Sequence, residues 1–165
     1  MILVRTPLRI EFLGGSSDME YFYRHHTGYI LNTTIDRSVY IAINPKFGGG
    51  VRVSYSSTEN VLHKDDIKHT RVKAALDHFN INDGVEIVSI ADIPSSGSGL
   101  GSSSSFIVGL IQGLATYLSQ TLSTEEIADI ASSLEIDVLK EPIGKQDQYA
   151  AAYGGLNISQ YHSNG

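Results

Sequence analysis

Apolar and polar positions alternate through the first third of the chain and then change period. ILVRTPLRIEFLG is β-rich, with Pro7 marking a break or an edge position. The runs YILNTTI and VYIAINP predict two further strands separated by Asp36-Arg37-Ser38, and KFGGG turns the chain into VRVSYS. Val72, Ala75, Leu76 and Phe79 then recur at helical spacing, and Asn82-Asp83-Gly84 makes a turn before a strand over 85–90. Ile107, Leu110, Ile111, Leu114 and Leu118 predict a helix. Ser123 with Glu126 forms a capping-box pattern at the start of another, which Ile127, Ile130, Ala131, Leu134 and Val138 carry to about Lys140. Pro142 and Gly144 stop it. GKQDQYAAAYGG predicts a short helix ending at Gly154-Gly155, before a last strand, LNISQYH. With no internal repeat and no long linker, the chain reads as one α+β domain.

Composition changes this picture little but excludes several function classes. The chain has 165 residues, 41% of them apolar and 18% charged, as in an ordinary globular protein. A net charge of −6 argues against nucleic acid or an acidic membrane as the main partner. No stretch approaches a membrane span, and MILVRTPLRI lacks the layout of a signal peptide. There is no cysteine, hence no disulfide framework and no thiolate metal site. A cytoplasmic location is the default expectation.

The candidate chemistry begins at IPSSGSGLGSSSSF, residues 93–106, between a predicted strand and a predicted helix. A flexible linker shares this composition, but linkers are seldom set between a strand and an amphipathic helix without spare length. The sharper reading is an anion cradle. Gly97, Gly99 and Gly101 let several backbone N–H groups converge, and a helix starting near Ser102 adds its unpaired N–H groups and the positive end of its dipole. The loop is neither a Walker A sequence, since no Lys follows the last Gly, nor a dinucleotide fingerprint, since the spacing is GxGxG. The residues alone deliver a phosphate-binding loop and no more.

PSSGSGLGSSSS resembles the central motif of the GHMP kinases, roughly P-x3-G-L-G-S-S-[AS]. TPLRIEFLGGSSD at 6–18 resembles that family's N-terminal motif, and GKQDQYAAAYGG at 144–155 resembles the segment that carries its catalytic Asp. The three occur in the family's order, and the subgroup they resemble most is that of the sugar 1-kinases. The resemblance implies a GHMP kinase N-terminal, ATP-binding domain over 1–165, in which a mixed β-sheet is covered by helices and the Gly/Ser-rich loop joins a strand to a helix. It implies ATP and Mg²⁺ as cofactors, and a γ-phosphoryl transfer to the anomeric hydroxyl of a sugar with the character of a heptose 7-phosphate.

The roles follow residue by residue. Pro94, Ser96, Gly97, Ser98, Gly99, Leu100, Gly101, Ser102, Ser103 and Ser104 would hold the nucleotide. Asp147 would take or orient the acceptor's proton, although an Asp beside a helix start is otherwise a cap. Arg9, otherwise an ordinary strand arginine, would stabilise charge in the transition state. Asp18 would bond a sugar hydroxyl, its plain alternative being an Asx-turn in GGSSD. Gly14 and Gly15 would let the backbone pass near the sugar, with Lys145 and Gln146 beside it. Glu135 and Ser103 would hold the metal. On a helical wheel Glu135 lies about 80° from the centre of the apolar stripe, with Asp137 on the opposite flank, so only one of them can face the loop. The family's spacing selects Glu135, and Asp137 is the reserve. Tyr21, Phe22 and Tyr23 read as core and wall. The histidines have no metal-ligand spacing and receive no function.

GGSSD differs from the usual Gly-Gly-Gly-Thr-Asp of sugar kinases, which leaves the sugar open. The family's second, C-terminal domain is expected as the missing partner, in a longer chain or as a separate one, and Ser163-Asn164-Gly165 reads as the bend of a hairpin whose return strand lies beyond the sequence. The competing readings are a non-catalytic nucleotide- or sugar-binding module and a related phosphotransferase acting on a different alcohol.

Overall fold

The computed structural model describes residues 1–93 and 98–163. Its spine is one strand, β2 (Gly28–Pro45), with β1 (Ile2–Leu13) antiparallel along one edge. The other edge of β2 carries β6 (Leu156–Tyr161) along residues 28–33 and β5 (Val85–Ala91) along 39–45, both antiparallel. β3 (Val51–Ser54) joins β5 in parallel and pairs with β4 (Thr58–Val61), so the sheet is mixed, as expected.

Where two strands were expected at YILNTTI and VYIAINP, the chain forms one. The reason lies in the pairing partner. β1 runs beside β2 from Ile2 opposite Ile43 to Leu13 opposite Leu31, with a register irregularity between Pro7 and Arg9. At that level β2 changes the face it buries. Ile30 and Asn32 point to the core below the irregularity, and Val39, Ile41 and Ile43 do so above it. Asp36-Arg37-Ser38 marks this flip rather than a turn. Arg5 spans it, donating to the Asp36 carboxylate at 2.7 Å and the Ser38 hydroxyl at 2.9 Å. Pro7 lies on an edge strand, where its missing N–H costs no ladder bond.

The helices form a second layer. Between α1 (Glu20–Tyr23) and the last strand lie α2 (Thr70–His78), α3 (Ser102–Tyr117), α4 (Thr124–Ser133) and α5 (Gln146–Tyr153). α3 is buried on nearly all sides, because the sheet lies beneath it and α2, α4 and α5 pack around it. Gly109 and Gly113 set its distance from the sheet. A Cβ on Gly109 would stand 2.6 Å from the Thr6 hydroxyl, and one on Gly113 would stand 2.7 Å from Ile43 Cδ1. This close approach brings the N-terminus of α3 against β1. The expected capping box at Ser123 and Glu126 opens α4. That helix does not continue regularly to Lys140, since Leu134–Val138 form a π-turn. The wider turn shifts the wheel, burying Glu135 completely and leaving Asp137 exposed.

Candidate active site

Local sequence builds the loop, and its long-range partners make it a site. Gly101 takes φ 73° as the residue before α3, a left-handed conformation that suits glycine, and it offers no side chain to cap the helix. The first N–H groups of α3 are therefore left to an incoming acceptor. Among the described loop residues, Ser98 supports the turn by accepting from Leu100 N–H at 3.4 Å. Pro94, Ser96 and Gly97 lie outside the described residues. Ser102 and Ser103 stand at the surface of the first turn, with Ser103 exposed. Ser104 points inward, and its hydroxyl donates to the Glu135 carboxylate at 2.8 Å.

Arg9 draws the loop and α5 together. Its Nε and one terminal nitrogen donate to Asp147 Oδ1 at 2.7 and 2.6 Å, another nitrogen donates to the Gly99 carbonyl at 2.7 Å, and its backbone N–H donates to the Leu100 carbonyl at 3.1 Å. Asp147 Oδ2 is turned toward the loop, 3.5 Å from where a Cβ on Gly101 would stand. A cavity of about 220 Å³ opens here, lined by Arg9, Gly99, Gly101, Ser102, Ser103 and Asp147. Burial pushes the Asp147 carboxyl above its ordinary value, and the negative charges of Asp18 and Glu135 add to that. The Arg9 guanidinium pulls the other way without winning.

Asp18 lies one side further along. It is buried and accepts the Gln146 N–H at 3.0 Å. Burial raises its carboxyl too, against the pull of that N–H. Gly144 is what lets it sit there, since a Cβ on Gly144 would fall 2.0 Å from the Asp18 carboxylate. Gln146 donates from its side chain to Glu11 at 2.8 Å. Glu11 had no role in the sequence reading, yet strand alternation from Arg9 places it on the same side of β1. Lys145 lines a neighbouring cavity of about 250 Å³ with Asp18, Glu20, Tyr23, Asp129 and Asp137. Tyr21 is exposed rather than core, and Tyr23 is a wall residue. At Gly14 a Cβ would meet the Tyr29 carbonyl at 1.8 Å, so the glycine lets the chain pack closely on β2. Gly15 lies closer to the site, 2.7 Å from Glu11 by the same measure.

On the other side of the α3 N-terminus is a cavity of about 500 Å³ lined by Tyr55, His69, Arg71, Ser102, Ser103 and Phe106, among others. His69 stacks on Phe106 at 5.0 Å and meets Tyr55 edge-on at 4.7 Å. Burial and the Arg71 charge push it down, away from the protonated form. Sequence reading gave His69 nothing, and its only signal was its position just before a helix.

Glu135 and Ser103 do not fit a cation together as arranged. The Glu135 carboxylate is wholly enclosed: Oε1 accepts from Arg71 Nε at 2.8 Å, and Oε2 accepts from Ser104 Oγ at 2.8 Å and Gln148 Nε2 at 2.6 Å. Ser103 stays outside this network. Among the described residues no three acidic or histidine side chains gather into a metal-binding group, and no helix is long and apolar enough to cross a membrane.

Comparison with known proteins shows the family to which the chain belongs. Residues 68–155 match the family described as GHMP kinases N terminal domain. The chain is 31% identical to D-glycero-alpha-D-manno-heptose 7-phosphate kinase of Campylobacter jejuni, over 99% of this chain and 51% of that protein. It is 28% identical to the bifunctional fucokinase/GDP-fucose pyrophosphorylase of Arabidopsis thaliana, over 94% of this chain and 17% of that protein. A crystal structure of a D-glycero-D-manno-heptose 1-phosphate kinase from Bacteroides thetaiotaomicron superposes with a TM-score of 0.91 at 28% identity, covering 99% of this chain and 57% of the other. The chain thus spans about half the length of the Campylobacter relative. With a matched segment that includes the glycine-serine loop, Glu135 and Asp147, the chain belongs to the GHMP kinase N-terminal domain family.

Proposed function

We propose that residues 1–165 are the ATP-binding domain of a sugar kinase that moves the γ-phosphoryl group of ATP to the anomeric hydroxyl of a heptose 7-phosphate-like sugar. The observation that carries this reading is the contact between the loop and the acid. Asp147 Oδ2 faces Gly101 at the open end of α3, and Arg9 binds both Asp147 and Gly99.

Phosphoryl transfer asks the protein for positioning and for compensation of charge. The N–H groups opening α3 and the hydroxyls of Ser102 and Ser103 would grip the phosphates. The cavity of about 500 Å³ beside them, walled by Tyr55, His69 and Phe106, has the room and the aromatic lining for a purine. Asp147 would accept the acceptor hydroxyl's proton, and Arg9 would hold it in line and face the charge that builds on the transferred group. Asp18, held by Gln146, would accept from sugar hydroxyls, with Gly15 and Lys145 nearby. Mg²⁺ would supply charge neutralisation on the ATP phosphates, and Ser103 is the side chain here that is open toward them. A C-terminal domain, as the length of the relatives suggests, would close the cleft over the sugar.

The test is product analysis with the complete gene product. ATP and a panel of heptose 7-phosphates, hexose phosphates and polyols are supplied, ADP release is followed, and the product is located by phosphorus NMR. A phosphate on the anomeric carbon supports the reading. ATP-dependent phosphorylation confined to non-sugar alcohols, or none with any acceptor, would overturn it.

A further inference from the structure

His69 lines the cavity of about 500 Å³ with its two ring nitrogens in different surroundings. Nδ1 accepts the Val72 N–H at 3.4 Å and so caps α2. A ring nitrogen that accepts carries no proton, so in the neutral imidazole the proton sits on Nε2. Among the described residues no group accepts a hydrogen bond from Nε2, and that atom is not sealed away from solvent. We propose that His69 reads the base of the nucleotide by donating from Nε2 to a ring nitrogen of a purine. The proposal rests on the reading of this cavity as the nucleotide site, and goes beyond it by naming the polar contact that selects the base.

Three features of the wall support it. The ring is held in place before any ligand arrives. Its backbone N–H donates to Glu59 Oε1 at 3.1 Å, Phe106 stacks on it at 5.0 Å, and Tyr55 stands nearly perpendicular to it at 4.7 Å. A donor already fixed in this way loses little freedom when it binds. Second, His69 is the one aromatic wall with a donor to give. Phe106 has none, and Tyr55 donates its hydroxyl to the same Glu59 oxygen at 2.9 Å. Third, burial and the neighbouring Arg71 charge favour the neutral ring, which keeps Nδ1 as the cap and Nε2 as the donor. A purine among these rings carries lone pairs in its own plane, and enclosing them without a donor would cost binding. The edge of His69 meets that need, while the rings around it supply apolar contact.

The experiment titrates ATP and its 1-, 3- and 7-deaza analogues into the complete gene product by calorimetry, without an acceptor. In each analogue a C–H replaces one ring nitrogen and keeps the shape of the base. At least one should bind about three- to tenfold more weakly than ATP, the worth of one neutral hydrogen bond. In His69→Asn the amide oxygen can still cap α2, but the shorter side chain no longer reaches the base. There ATP should fall to the affinity of that analogue, and the analogue should change little. His69→Gln does the opposite, offering an N–H near the place of Nε2 and giving up the cap. ATP affinity should therefore run wild type, Gln, Asn, whereas the unfolding midpoint should run wild type, Asn, Gln. The same order in both would mean that His69 only caps the helix, which overturns the proposal. So does a deaza loss that persists undiminished in His69→Asn. Should a variant fail to fold, the wild-type profile decides, since equal affinity for ATP and all three analogues overturns the proposal by itself. ATP bound with such a flat profile leaves the kinase reading standing. No ATP binding at all removes the nucleotide reading, and this one with it.

Discussion

Arg9 and Asp147 stand 138 positions apart in the chain, and two guanidinium nitrogens of one converge on a single carboxylate oxygen of the other. The second oxygen is left for the loop. As the base proposed above, Asp147 would work only when ionised, so activity should rise with pH through its titration. Burial places that titration above the ordinary value of 3.8, and Arg9 partly opposes the shift. The acid limb of kcat/KM in the complete enzyme should therefore lie above the usual carboxylate range. Arg9→Met should move the limb to still higher pH, because a lowering influence is gone. A limb that stays put in Arg9→Met would count against Asp147 as its source.

Asp147→Asn keeps the size of the side chain and removes the basic oxygen. Turnover should fall roughly 10²- to 10⁴-fold, the usual worth of a positioned general base, while ATP still binds. Equilibrium binding of ATP beside steady-state kcat separates the two effects. Full kcat would remove Asp147 from the chemistry.

Gly101 and Gly84 share nearly the same backbone conformation, φ 73° and 75°. Alanine at either site carries a similar strain, about 1 kcal/mol. The surroundings differ. At Gly84 a Cβ meets nothing within 4 Å, whereas at Gly101 it comes 3.3 Å from Arg9 Cγ and 3.5 Å from Asp147 Oδ2. Gly101→Ala should thus lower kcat strongly, and Gly84→Ala should lower only the unfolding midpoint. Equal turnover in the two variants would mean that the loop does not work against Asp147.

Much of this site was legible because its chemistry is concentrated in short contiguous segments. Gly99 to Ser103 and Lys145 to Asp147 each carry a turn, a helix start and a polar group within a few residues. Arg9 was legible through its motif on β1. The unread parts depend on contacts between distant elements. His69 and Arg71 stand at the start of α2, where the pattern of Val72, Ala75 and Leu76 speaks only of packing. Glu11 alternates with Arg9, but alternation alone does not say that Gln146 will reach it. The flip of β2 at Asp36-Arg37-Ser38 reads as a break, because a change of buried face and a turn leave the same polar interruption. The π-turn at Leu134–Val138 has no sequence period of its own, and it decides that Glu135 rather than Asp137 is enclosed.

Gly144 and Asp18 form a lock of a different kind. A methyl group on Gly144 would overlap the Asp18 carboxylate, which in turn holds the N-terminus of α5 through Gln146. Gly144→Ala should expel Asp18 and raise KM for the sugar far more than KM for ATP. A matched rise in both would show that the substitution disturbs the whole cleft instead.

Stability should also depend on pH with a definite sign. Asp18 and Asp147 are both raised by burial, so each folded carboxyl keeps its proton to higher pH than the unfolded chain does. Just above the ordinary value of 3.8 the folded state binds more protons, and the stability this gives is lost as pH rises through the folded titration. Asp18→Asn preserves an acceptor for the Gln146 N–H but removes the titration. The urea midpoint of that variant should fall less steeply with pH than that of the wild type. An unchanged slope would place the raised carboxyl elsewhere, and a steeper one would mean that Asp18 is held ionised by its partners.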